Sequence, residues 1–122
     1  MIAYLTLGTN DMQRAAAFYD KLLAPLGAKR TMESERYVAW TSVPNAPALM
    51  VIKPYDGKSA TVGNGVMVAI HAASPAQVDE VYKLAMSLGA RDEGAAGPRG
   101  TGFYGGYFRD LDGNKLVVCC FA

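Results

Sequence analysis

Apolar residues recur at helical spacing in two stretches of this chain, and elsewhere they alternate or run together in short bursts. From Asp11 to Leu26 the apolar positions are Met12, Ala15, Ala16, Tyr19, Leu22, Leu23 and Leu26, the three-and-four spacing of one helix face. Asn10 or Asp11 is placed to cap that helix and Gly27 to stop it. From Pro75 to Leu88 the pattern returns with Val78, Val81, Tyr82, Ala85 and Leu88. Ser74 is the cap here, Pro75 suits the first turn, and Gly89 ends the helix.

Each helix follows a predicted strand, Ile2 to Leu7 in the first case and Val66 to Ala72 in the second. Each helix also ends in a similar phrase, Leu26-Gly27-Ala28-Lys29 against Leu88-Gly89-Ala90-Arg91. In the first half, further strands are predicted at Ala28 to Met32, Arg36 to Thr41 and Ala48 to Lys53. The second half has a weak one at Ala90 to Glu93, then Phe103 to Arg109 and Lys115 to Phe121. Glu93 to Gly102, with four glycines and Pro98, reads as a loop. The fold class is α+β: two tandem βαβββ modules with a period of about sixty residues. The first spans about 1–55, a Gly-rich joint about 56–64, and the second about 65–122, all within a single domain. Strand and helix order alone also allows a ferredoxin-like sandwich, but two helices against about eight strands favours paired modules.

Composition narrows the function. With 122 residues, 51% of them hydrophobic and 19% charged, the chain suits one folded domain with a real core. A net charge of +1 and the absence of a basic run leave no footprint for nucleic acid. Met1-Ile2-Ala3-Tyr4 does not read as a signal peptide, and no apolar stretch is long enough for a membrane helix, so a cytoplasmic protein is expected. Cys119 and Cys120 are neighbours in a predicted strand and point to opposite faces, which predicts a reduced, buried pair.

The most specific motif is Gly105-Gly106-Tyr107-Phe108-Arg109-Asp110-Leu111-Asp112-Gly113-Asn114-Lys115-Leu116-Val117-Val118, an aromatic strand, a turn and an apolar strand. It resembles the closing hairpin of the vicinal oxygen chelate superfamily, which includes glyoxalase I, bleomycin-resistance proteins and extradiol dioxygenases. Leu5-Thr6-Leu7-Gly8 leading to Ala17-Phe18-Tyr19-Asp20 is similar to its opening strand and helix. Gly63-Asn64-Gly65 and Ser74-Pro75 are similar to the start of its second module. The resemblance implies strands curled into half-barrels around a cavity, helices packed outside, and assembly as a homodimer. It also implies a divalent metal held by His and Glu on the first and last strands, acting as a Lewis acid. Those ligand positions fall here on Tyr4, Met67 and Val117, none of which binds such a metal usefully. No metal cofactor is therefore expected.

The expected ligand lining is Tyr4, Met67, His71, Trp40, Tyr104, Tyr107 and Val117, an aromatic and methionine-rich wall with few polar contacts. His71 is the single histidine; with Tyr4 it is the candidate for acid–base chemistry, and a solvent-facing strand-end histidine is its plainer role. Arg99 and Arg109 are the candidate anion partners, with a local pair to Asp110 as the expected role of Arg109. Asp110 and Asp112 suit turn formation better than catalysis. The leading expectation is a metal-free binder of a small, partly apolar organic molecule. The alternatives are an enzyme of the lyase, isomerase or dioxygenase class and a non-catalytic structural or partner-binding domain.

Overall fold

The computed structural model describes residues 1–121. The chain divides into two compact units, Met1–Val62 and Gly63–Ala122. In the first, β1 (Tyr4–Gly8) leads to α1 (Met12–Leu22), then β2 (Lys29–Glu33), β3 (Tyr37–Thr41) and β4 (Ala48–Ile52). In the second, β5 (Val68–His71) leads to α2 (Pro75–Ser87), then β6 (Arg91–Pro98), β7 (Phe103–Arg109) and β8 (Lys115–Phe121). The sheet orders are β1-β4-β3-β2 and β5-β8-β7-β6. In each, the first strand pairs parallel with the last and the remaining pairs are antiparallel. The predicted doubled βαβββ order is the order found.

Strand alternation gives each sheet two faces. In the first unit, Leu5, Leu7, Val38, Trp40, Leu49 and Val51 share the face that meets α1, where the Trp40 ring lies 5.7 Å from that of Tyr19. In the second, Tyr104, Gly106, Phe108, Leu116, Val118 and Cys120 meet α2, with Val78, Val81 and Ala85 buried beneath them. Phe108, Leu116 and Val118 are fully buried, each side chain contributing roughly 1.5–3 kcal/mol by leaving water.

Both helix starts are capped as the sequence predicts. The Asp11 carboxylate accepts from the Arg14 amide, and the Ser74 hydroxyl from that of Gln77. The end of α1 differs from expectation. The α-helix stops at Leu22 instead of Leu26, because Pro25 has no N–H for the i−4 ladder. A 3-10 turn, Ala24–Leu26, finishes the segment and Gly27 closes it at φ 78°.

The predicted loop at Glu93 to Gly102 is also corrected, since β6 continues through Pro98. Two register shifts, between Asp92 and Gly94 and between Gly94 and Gly97, let this glycine-rich stretch pair with β7. In the first unit, residues 54–62 fold back onto the β1–α1 turn. There the Asn10 side chain accepts from the Ala60 amide at 2.7 Å and donates to the Ala60 carbonyl at 3.2 Å. Both cysteines are reduced and buried, and they fall on opposite faces of β8. No helix of the described residues is long and apolar enough to cross a membrane.

Candidate functional site

The faces turned away from the helices carry most of the side chains singled out in the sequence. In the first unit, the far face holds Tyr4, Thr6, Tyr37, Ala39, Ala48, Met50, Ile52 and Met32. Tyr4 is 61% exposed and Met32 53% exposed, unusually open for large apolar side chains. In the second unit, the far face holds Phe103, Tyr107, Arg109, Val117, Cys119, Phe121 and His71. The packing confirms that assignment. A Cβ on Gly105 would meet Phe103 and Val117, whereas one on Gly106 would meet the Tyr82 ring of α2.

Two expected lining residues lie on the helix-facing sides of their sheets instead. Trp40 is buried against α1, and its indole N–H donates to the Asp20 carboxylate at 2.9 Å. Tyr104 shares the α2 face with Gly106 and Phe108, and its hydroxyl donates to Asp79 at 2.7 Å. Their position in the period-two alternation decides this. Trp40 pairs with Leu49 and Tyr104 with Cys120, both on the helix side of their sheets. Val117 is on the far face and only 1% exposed. Met67 lies one residue ahead of β5 and is partly exposed, and His71 ends that strand, exposed and opposite Cys119.

The far face of the second unit is also where charge gathers. The Arg99 guanidinium lies 5.6 Å from the Tyr107 ring centroid and the Lys115 ammonium 5.8 Å from it. Arg109 pairs with Glu93 at 2.8 Å and donates to the Gly113 carbonyl, so the predicted pair with Asp110 is not made. That contact holds the Glu93 carboxyl below the usual carboxylate range. Asp110 instead accepts from the amides of Asp112 and Asn114 and from the Asn114 side chain, which fixes the turn.

The first unit has a separate cleft of about 310 Å³, bordered by Thr9, Asn10, Arg36, Lys53, Lys58 and Ser59 among others. None of the residues proposed from the sequence borders it.

The sequence profile of the Glyoxalase/Bleomycin resistance protein/Dioxygenase superfamily matches residues 1–118. The chain belongs to this superfamily. A solved glyoxalase/bleomycin resistance protein from Albidiferax ferrireducens is 30% identical over 98% of this chain and 97% of its own, with a TM-score of 0.89. At lower identity the likeness is one of fold. A lactoylglutathione lyase from Agrobacterium tumefaciens is 22% identical, covering 98% of this chain and 92% of its own at a TM-score of 0.72. TioX from a Micromonospora is 17% identical, covering 100% and 99% at a TM-score of 0.70. No curated protein matches the chain.

Against the superfamily's metal chemistry, the residues present do not fit. The three expected ligand positions carry a phenol, a thioether and an isopropyl group, on Tyr4, Met67 and Val117. Among the described residues there is no group of three or more His, Cys, Asp or Glu that could hold a metal ion.

Several polar contacts escaped the sequence reading because they join residues far apart in sequence. Asp20 accepts from Arg30 at 2.7 and 2.9 Å as well as from Trp40. Arg30 foremost, with Trp40, holds the Asp20 carboxyl below its ordinary range despite the opposing effect of burial. Tyr82 donates to Asp92 at 2.7 Å, and burial together with that carboxylate pushes its phenol up to about 12. Helical spacing marks Tyr82 only as an apolar position.

Proposed function

We propose that this protein binds a small, partly apolar organic molecule on the far faces of its sheets without a metal ion. The observation that supports this most is the composition of those faces. They present Tyr4, Met32, Tyr107, Phe103 and Phe121, and the Phe103 and Phe121 rings meet edge to face at 5.4 Å. Aromatic and thioether surface of this kind favours flat or conjugated ligands through area and ring contacts, not through many hydrogen bonds. A homodimer belongs to the same reading, since Ile2 and Val66, outside that surface, are each more than half exposed and need cover.

Thermal unfolding with a panel of aromatic and conjugated compounds, and separately with Mn, Ni, Zn and Fe(II), tests the proposal. At least one organic compound should raise the Tm by several degrees, as ligand well above its Kd must. The metals should leave the Tm unchanged. Phe121→Ser, at a site 74% exposed, should weaken that organic ligand and spare the unliganded Tm. A panel without any shift, or a stoichiometric metal in the purified protein, overturns the reading. Light scattering at micromolar concentration should give twice the chain mass.

A further inference from the structure

Arg99 is held more tightly than a loop arginine needs to be. One terminal nitrogen donates to the Ala95 carbonyl at 2.6 Å and the other to the Pro98 carbonyl at 3.2 Å. Its guanidinium carbon also lies over the Tyr107 ring. Two glycines make the space it occupies. A Cβ on Gly94 would lie 3.3 Å from one terminal nitrogen, and a Cβ on Gly97 3.3 Å from the other. Gly94 also has φ 148°, whereas Gly97 is not among the glycines at positive φ, so glycine is needed at Gly97 for the room it leaves the guanidinium.

A guanidinium has five N–H donors, and the two carbonyls leave others to present outward. Among the described residues no carboxylate forms an ion pair with Arg99 or Lys115; Glu93, which feels the charge of Lys115, is bonded to Arg109. The far face of β7 and β8 therefore joins two cations to an aromatic ring, with Val117 and the Phe103–Phe121 pair on the same face. A side chain locked in this way loses little entropy on binding, and its planar fork matches a carboxylate.

We infer that Arg99, Tyr107 and Lys115 form a carboxylate subsite, so that the ligand class is an aromatic or conjugated carboxylic acid. The inference rests on the far-face binding proposed above and specifies its ligand. Arg99 donates to the carboxylate, Lys115 adds charge, and Tyr107 supports both cations while offering its ring edge to the ligand. Gly94 and Gly97 set the position of the guanidinium.

The test is a matched pair of probes, 2-naphthoate and 2-naphthamide, titrated by calorimetry into the full-length protein at low and high salt. Naphthoate should bind at least about tenfold more tightly at low salt, the scale of one charge-assisted hydrogen-bonded contact, and the ratio should shrink as salt rises. Arg99→Gln should bring the two probes to within about threefold of each other by weakening naphthoate alone. Arg99→Lys should retain part of the preference. Gly97→Ala, which keeps every charge and displaces the guanidinium, should weaken naphthoate and leave naphthamide unchanged. Equal affinity of the two probes for the wild type, or an undiminished preference in Arg99→Gln, overturns the carboxylate subsite and leaves far-face binding standing. Failure of both probes to bind overturns the two together.

Discussion

The two units follow one plan but arrange large rings and small residues differently between helix and sheet. In the first, the sheet supplies the bulk: Trp40 projects from β3 toward α1 and packs on Tyr19. In the second, β7 carries Phe108 into the same layer but leaves a gap at Gly106, which α2 fills with the Tyr82 ring. The polar ties differ as well. Asp20 alone joins α1 to both β2 and β3, through Arg30 and Trp40. In the second unit that work is split, with Tyr104 joining β7 to Asp79 of α2 and Tyr82 joining α2 to Asp92 of β6. One topology therefore tolerates two packings, provided a large ring on one side meets a small residue or a shaped gap on the other.

Removing the large ring should give the greatest effect. Trp40→Ala is expected to lower stability by roughly 3–5 kcal/mol in urea unfolding, since it empties a site 2% exposed. Tyr104→Ala, at a half-exposed ring that also carries a helix tie, should shift the midpoint by less than half as much. Equal losses would mean that Trp40 does not organise the first unit as its burial suggests.

Gly106→Ala is the reciprocal break. The added Cβ would stand 2.7 Å from one ring carbon of Tyr82 and 3.1 Å from its Cβ, so the helix and β7 must part. Overpacking of this order costs about 1–3 kcal/mol. The double change Gly106→Ala with Tyr82→Ala should recover part of that loss. Recovery is the sharper result, because it shows the ring and the glycine act as one unit.

Asp20→Ala should cost about 1–2 kcal/mol, since three donors lose their acceptor at a site 40% open to solvent. Asp79→Ala breaks one tie of a divided pair and should move the midpoint less. Burial and sequence separation explain why such ties were hard to read beforehand. The helices, their caps and the doubled order follow from period and punctuation, which are local. The face on which Trp40 or Tyr104 lies depends on strand register. Register in turn depends on where β4 and β8 pair, and that is not local. The β6 strand was hidden for another reason: its glycines read as loop, and only the pairing with β7 reveals them as bulges. At the far face, Arg99 was visible in the sequence as a cation, while the cradle made by Gly94 and Gly97 was visible only as a lack of side chains.

The smallest expected effect separates the two units by pH. Desolvation and the Asp92 carboxylate raise the Tyr82 phenol to about 12, above the value near 10 of an unfolded tyrosine. Tyr104 is raised in the same direction by Asp79, and Cys119 chiefly by burial, so the tyrosine and cysteine groups shifted this way belong to the second unit. Arg30 of the first unit is raised by Asp20 as well, but a guanidinium keeps its charge throughout this pH range. A folded pKa above the unfolded one gives stability that is whole below about pH 10 and drains away as pH rises toward 12, because the unfolded chain releases its proton first. Urea midpoints measured from about pH 9 to 11.5 should therefore fall for the wild type. Tyr82→Phe should begin lower, having lost its hydrogen bond, and fall less steeply. The slope is the informative quantity, because a purely steric role for Tyr82 would shift the level and leave the slope unchanged. If Asp20→Ala flattened the alkaline slope instead, the assignment of alkaline sensitivity to the second unit would be wrong.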